Sequence, residues 1–274
     1  MRTRGRLTML ITICVWTLLC PWAYGQSGEA SAPSLLSSPW KFGVAPYLWL
    51  PAMQGEITVR GHTVDVDLDL EDTLDLVFDS LKFAFMGRAE AHKGPLLFTL
   101  DLLYLNLEGD QTTTRGLHAE LTTKLLITEF GAGYRLGTFA LGPVVYPYLA
   151  LDFLAGGRYV FLETGLNITG GRFGREADIE RDVDWIEPFV GGRVTLRFSN
   201  RAALIVRGDA GGFGVGSDLT WSLVGTFQYY LSRAVSLDLG YRVLDIDYDQ
   251  GSGANLFKFD VRMHGPLLGA VFRF

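Results

Sequence analysis

The ten residues from Gly265 to Phe274, GPLLGAVFRF, decide how the rest of the chain is read. Leu268, Ala270, Phe272 and Phe274 recur at a spacing of two, so an extended backbone puts all four on one face. A face of this kind suits a wall that meets lipid on one side. Just upstream the parity changes, because Phe257, Phe259, Val261 and Met263 are odd where the later four are even. One extra residue near Gly265 and Pro266 reconciles the two halves, which predicts a β-bulge there.

The alternation continues backwards along the chain, and charged residues gather on the second face. Val235 to Asp247 sets Leu237, Leu239, Tyr241 and Val243 against Asp238 and Arg242. Leu219 to Leu231 sets Leu219, Trp221, Leu223, Phe227 and Tyr229 against Thr220, Ser222, Thr226 and Gln228. Ala203 to Phe213 brings Arg207 and Asp209 together, and Val183 to Phe198 turns Glu187, Arg193 and Arg197 away from Ile186, Val190, Val194 and Phe198. In Val144 to Phe161, Asp152 and Arg158 oppose Leu149, Leu151, Phe153 and Tyr159; in Leu121 to Leu136, Glu129 and Arg135 share a face. Leu96 to Leu107 places Asp101 opposite Phe98 and Leu100, and Lys82 to His92 places Arg88 and Glu90 opposite Phe83 and Phe85. Trp40 to Leu50 is the first aromatic-rich strand.

The composition is 48% hydrophobic with 33 glycines, yet after residue 25 no apolar run is long enough for a membrane helix. In lipid only helices and closed barrels satisfy their backbone groups, so these strands imply a barrel. Short turns at Lys93, Gly137 to Gly142, Ser199 and Ser232 fall on one side. Longer connections at Glu108 to Gly116, Glu163 to Arg181 and Tyr248 to Ala254 fall on the other. The expected fold is all-β: a transmembrane antiparallel up-and-down β-barrel of about ten strands, with eight and twelve as the neighbouring even counts. Pro51 to Ser80 makes a long first external loop, a polar hairpin followed by one or two helical turns in EDTLDLVF, standing outside or folded into the lumen as a plug.

The amino-terminal end reads as an export signal over residues 1–25. Three arginines precede an apolar run from Leu7 to Cys20, and Ala23 and Gly25 supply small side chains for cleavage after Gly25. Residues 26–39 form a flexible Ser-, Ala- and Pro-rich lead-in, and 40–274 the barrel. Both cysteines, Cys14 and Cys20, lie in the signal, which suits passage through an oxidising compartment. With Arg2, Arg4 and Arg6 removed from the 24 basic residues, 30 acidic ones face about 21, and this acidity argues against nucleic acid as a partner.

Several stretches carry a family likeness: Pro46 to Leu50 (PYLWL), Val64 to Asp67 (VDVD), Leu154 to Tyr159 (LAGGRY), Arg207 to Trp221 (RGDAGGFGVGSDLTW), Gly240 to Asp249 (GYRVLDIDYD) and Gly265 to Phe274. Together they make the chain resemble an uncharacterised Gram-negative outer-membrane β-barrel protein family, and the OmpA and OmpW barrels in architecture alone. The resemblance implies a location in the bacterial outer membrane, with lipid and lipopolysaccharide around the wall. It also implies that the barrel-assembly machinery reads Phe272 and Phe274 as the terminal signal. It brings no settled activity, catalytic residue or cofactor, and oligomeric state is left open.

Four groups of residues stand out as candidate sites. The inward charges Arg88, Glu90, Asp101, Glu129, Arg135, Asp152, Arg158, Glu187, Arg193, Arg197, Arg207, Asp209, Asp238 and Arg242 read as a salt-bridge core, or as a selectivity ring in a narrow pore. Asp65, Asp67, Asp69, Glu71, Asp72 and Asp75 cluster carboxylates, but Leu70 and Leu76 break the EF-hand pattern, so no metal is expected. Gly212, Gly214 and Gly216 lack the helix and lysine of a phosphate loop and read as a hairpin. His62, His92, His118 and His264 with Ser222 assemble no triad, so the chain is not read as an enzyme. The function expected is a structural or narrow-channel role for small-solute diffusion. The alternatives are a barrel enzyme acting on outer-leaflet lipid or peptides, and a surface adhesion protein using its long loops.

Overall fold

Strands that alternate in lipid leave no unpaired backbone groups only if the sheet closes on itself, and this sheet closes. The computed structural model describes residues 38–59, 62–112, 117–143, 145–170 and 177–274. The strands are β1 (Trp40–Trp49), β2 (Ala52–Val59), β3 (His62–Leu68), β4 (Leu81–Lys93), β5 (Leu96–Thr112) and β6 (Leu117–Ala140). They continue with β7 (Tyr148–Gly170), β8 (Ala177–Arg197), β9 (Ala202–Val215), β10 (Ser217–Tyr230), β11 (Val235–Gln250) and β12 (Phe257–Arg273). All pairings are antiparallel. Ten strands, β1 and β4 to β12, form the ring, which β1 shuts by pairing with β12 from Gly43 opposite Arg273 to Trp49 opposite Leu267.

The first long insertion joins the wall. After a break at Leu50 and Pro51, β2 resumes the path of β1 along β12, from Ala52 opposite His264 to Val59 opposite Phe257, and β3 adds to the free edge of β2. Among the described residues β3 has no second strand partner, and β4 meets β1 only from Gly87 to Lys93. The helix α1 (Leu70–Ser80) packs against β2, β3, β4 and β5 at this seam. It runs eleven residues, longer than the turn or two expected, because a capping box starts it. The Asp69 carboxylate accepts from the Asp72 amide at 2.9 Å while that of Asp72 accepts from the Asp69 amide at 3.0 Å. The Thr73 hydroxyl donates to the Pro51 carbonyl at 2.7 Å, tying the helix to the strand break.

The connections on the loop side are shorter than the sequence suggests, because strands occupy much of them. β5 reaches Thr112, β7 reaches Gly170 and β8 begins at Ala177, leaving 113–116 and 171–176 outside the described residues. At 24, 23 and 21 residues, β6, β7 and β8 far exceed the ~10 that a tilted strand needs to cross a bilayer. The short connections at 94–95, 141–147, 198–201 and 231–234 all lie at the other end, so the surplus projects beyond the loop-side edge of the membrane. The second of these sits later than expected because β6 continues to Ala140 past a register shift between Arg135 and Gly137.

The β-bulge expected at Gly265 and Pro266 is absent. β12 pairs with β11 in unbroken register from Phe257 opposite Gln250 to Phe272 opposite Val235. What changes is the environment on the two faces. In the turn-side half Leu268 and Phe272 are exposed on the outer wall, whereas Phe257, Phe259, Val261 and Met263 are buried inside the loop-side half. β11 makes the same exchange. Leu237, Leu239 and Tyr241 are outside near the turns, and Leu244, Ile246 and Tyr248 are inside near the loops, where Asp245 and Asp247 take the outer face. Lipid bathes the outer wall of one half and water that of the other, so the apolar face follows whichever side excludes water. Trp40, Phe42 and Phe274 stack along the turn-side edge of the lipid belt, with ring centres 5.9 and 6.0 Å apart, and Phe83 meets Tyr104 at 5.9 Å on the loop-side edge.

Outside the membrane, Asp247, Asp260, Glu56 and Asp65 stand directly opposite one another across β11, β12, β2 and β3. Lys258 reaches Asp260 at 3.0 Å and Arg262 reaches Asp245 at 2.7 Å, so the row is only partly neutralised. Burial, and then the Asp260 carboxylate, push Asp247 above the usual aspartate range. Its ionised form is therefore disfavoured in the folded state, and wild-type stability falls as pH rises through that window. Asp247→Asn is expected to stabilise the refolded barrel at pH 7 by a few tenths to about 1 kcal/mol in urea unfolding. The gain should vanish below about pH 3, where the carboxyl is protonated folded or unfolded. On a denaturing gel the unheated refolded protein should migrate differently from the boiled one, and identical migration would contradict a closed barrel.

Candidate functional site

The inner face of the wall changes character at one level. Moving toward the turns, Leu103 gives way to Asp101, Ile127 to Glu129, Val160 to Arg158, Trp185 to Glu187 and Leu244 to Arg242, each pair two residues apart and buried. Strands in fixed register place these switches together, so an apolar layer sits on an ionic one. In the apolar layer Trp185 stacks on Tyr248 with ring centres 4.0 Å apart and leans toward Phe259 at 6.4 Å, joining β8, β11 and β12 across the lumen.

Arg158, fully buried, is the hub of the ionic layer. Its Nε donates to Glu129 at 3.1 Å, Nη1 to Glu187 at 2.9 Å and Nη2 to Asp209 at 2.6 Å. Glu129 also accepts from Arg207 at 2.8 Å and from Arg242 at 3.0 Å. That last contact joins β6 to β11, between which four strands intervene either way round the ring, so it crosses the full lumen. Arg242 extends the layer to β1 and β5, where Tyr47 accepts from it at 3.3 Å and donates to Asp101 at 2.7 Å. The second Glu187 oxygen accepts from Thr220 at 3.0 Å and from the hydroxyl of Ser217. The ring of Phe189 lies between Arg158 and Arg207, 5.6 and 5.5 Å from their guanidinium carbons. Gly131 and Gly156 make room for that ring, since a Cβ at either would stand 3.3 or 2.8 Å from its tip.

A second set of ion pairs lies nearer the turns. Arg193 donates to Glu90 and Asp152, both at 2.9 Å, and Arg135 reaches Asp152 at 2.7 Å. Arg193 to Glu90 joins β8 to β4, again across the lumen. Arg88 lies 3.6 Å from Asp238, whose other oxygen accepts from Gln228 at 2.7 Å. Of the fourteen inward charges named from the sequence, the structure gathers seven around Arg158 and six around Arg193 and Arg88. Arg197 stands apart at the turn-side mouth. Tyr47, Ser217 and Arg273 belong to the site without having been named as candidates, and Thr220, read from the sequence only as part of a polar face, joins them. The parity of Arg273, odd in an even-outward strand, was the available signal for it.

The remaining candidates separate. Ser222 is buried on the inner face, whereas His264 is on the outer wall, its Nδ1 2.7 Å from the Tyr241 hydroxyl. The wall therefore lies between them, so Ser222 and His264 are not paired. His92 contacts Glu90 at 3.1 Å; the side chains of His62 and His118 lie outside those described. Asp69 and Asp72 are committed to capping α1, and among the described residues no group of three or more metal-binding side chains converges. Gly212, Gly214 and Gly216 take φ of 85°, 77° and 80° around the short β9–β10 turn, which tucks Ser217 against Glu187. Phe272 and Phe274 are exposed on the outer wall, and Phe274 exchanges backbone hydrogen bonds with Phe42 at 2.9 and 3.0 Å.

The sequence matches no protein-family model and no curated protein. Among solved structures the chain is similar to the outer membrane protease OmpT of Escherichia coli, at 9% identity over 87% of this chain and 98% of that one, with a TM-score of 0.48. It is also similar to the translocator domain of the autotransporter NalP of Neisseria meningitidis, at 10% identity over 87% and 90% and a TM-score of 0.43. Neisserial surface protein A shows 12% identity over 86% and 96%, with a TM-score of 0.30. All three are outer-membrane β-barrel structures, and they include an enzyme and non-enzymes, so no activity is carried across.

Removing the hub should expose the cost of unpaired charge. Arg158→Met removes the cation shared by three buried carboxylates, leaving Glu187 with neutral donors and Glu129 and Asp209 with Arg207 and Arg242 alone, and is expected to destabilise the barrel by about 3–5 kcal/mol in urea unfolding followed by tryptophan fluorescence. Arg262→Ala, outside the membrane on the outer wall, should cost less than about 1 kcal/mol.

Proposed function

We propose that this protein is an integral outer-membrane barrel with a sealed lumen and a structural role, rather than a diffusion channel. The observation that carries the reading is the direct contact of side chains from opposite sides of the ring. Arg242 meets Glu129 and Arg193 meets Glu90 across the lumen, with the Trp185 and Tyr248 stack above them. A ring of ten strands is little wider than one of eight, whose interior side chains can fill. The belt of outward Phe, Leu and Val residues between two aromatic edges supports the membrane setting, and the inward charges then serve as packing that is saturated by its own partners.

The test is single-channel recording of the refolded protein in a planar bilayer. No discrete conductance steps are expected at moderate voltage, for the wild type or for a protein lacking residues 51–80, since the ionic contacts that cross the lumen, Arg242 to Glu129 and Arg193 to Glu90, use no residue of that segment. Reproducible steps in the wild type would overturn the sealed reading in favour of a narrow channel.

A further inference from the structure

On the turn side of the second ion-pair set the lumen opens into a cavity of about 710 Å³. That lies within the roughly 300–1,000 Å³ of small-molecule sites. Part of its lining is apolar, from Ala150, Leu154, Ile205 and Val224, and part is cationic. Elsewhere in the lumen every arginine cluster is met by carboxylates. Here Arg197 and Arg273 are not, nor, among the described residues, is Arg233 in the same lining. Arg197 donates to the backbone carbonyls of Ser199 and Asn200 at 3.1 and 3.0 Å, and Arg273 donates through Nη2 to neutral Gln228 and Ser236, both at 2.9 Å. Among the described residues neither forms an ion pair. The two guanidinium carbons lie 4.0 and 4.8 Å from the centre of the same ring, that of Tyr230, and Nη1 of Arg273 is buried without an acceptor.

Two positive charges held against one ring repel each other, and a buried N–H without an acceptor is an unmet cost. Both penalties fall if an anion enters. Guanidinium forks match oxyanions in bidentate fashion, and a pair of them suits a dianion better than a single carboxylate. A phosphate monoester carries a charge near −2 at neutral pH. The cavity is larger than a phosphate group needs, and its apolar lining gives an organic remainder a place to lie.

We propose that this turn-side cavity binds a small phosphate monoester through Arg197 and Arg273, with the Tyr230 ring holding the two guanidiniums in place. The phosphate comes either from a soluble ester or from a lipid headgroup at the mouth. The inference goes beyond the sealed-barrel reading, because the cavity lies below the seal and exists whether or not ions pass.

The test uses the refolded protein in a sugar-headgroup detergent, with glycerol 3-phosphate as probe in calorimetric titration at constant chloride. Saturable binding is expected. Arg197→Gln and Arg273→Gln, each checked for folding by its heat-modifiable migration, should weaken it at least tenfold. Arg197→Lys, which keeps the charge and loses the fork, should fall between, and Arg262→Gln on the outer wall should leave it unchanged. No saturable binding up to roughly 10 mM, or binding indifferent to both glutamine variants, would sink the proposal. In vesicles, competition from phosphatidic acid upholds the site with a lipid source; glycerol 3-phosphate binding without such competition upholds it with a soluble one.

Discussion

Arg242 and Glu129 meet at 3.0 Å from strands on opposite sides of a ten-strand ring, and the rest of the structure is arranged so that this can happen. A ring this narrow holds side chains and little else. Charges inside it sit in a low-dielectric space and are tolerated only with partners, so each arginine must find carboxylates and each carboxylate must find donors. Arg158, Arg207 and Arg242 do so with Asp101, Glu129, Glu187 and Asp209, reaching over strands that are not neighbours. The ionic layer therefore ties the wall to itself across its own interior. Hydrogen bonds between adjacent strands close the barrel, and these contacts set its cross-section.

Above that layer the barrel behaves as a water-soluble one. Trp185, Tyr248, Phe257 and Phe259 form an apolar core while Asp184, Asp245, Asp247 and Asp260 face outward. Below it the order is reversed, with lipid taking the place of water outside. The hydrophobic effect is the same in both halves; the outer solvent differs. The long strands β6, β7 and β8 make sense in this light, because a barrel that continues past the bilayer needs strands longer than the bilayer requires. The helix α1 and the β2–β3 hairpin belong to this upper part, where the first strand breaks at Pro51 and the wall needs an additional element.

The two ends of the lumen are consequently unlike. The loop side is filled with aromatic packing and paired charge, and the turn side opens into a cavity whose cations outnumber the carboxylates able to meet them. Arg197 and Arg273 have no ion pair among the described residues, and they stand together over Tyr230. A structural barrel and a turn-side anion site are compatible, since Arg197 and Arg273 form none of the ion pairs that cross the lumen.

Alternation of period two was enough, by itself, to specify strands, their approximate number, the side on which the short turns lie and the inward parity of charges such as Arg158 and Glu187. These follow from local geometry, because a strand sends successive side chains to opposite faces wherever it sits. Alternation does not say which face is dry. Phe257 to Met263 and Leu268 to Phe274 are equally apolar, and the change of parity between them looks like a bulge until the bilayer edge is placed there. Nor does sequence reveal partners across a lumen. Arg242 and Glu129 are 113 residues apart, and their meeting depends on ring size, strand tilt and closure. Asp69 and Asp72 likewise look like part of an acidic surface until the helix they cap has formed. The tertiary structure decided these points because each depends on what lies on the far side of a wall or a lumen, a distance over which the period of a strand carries no information.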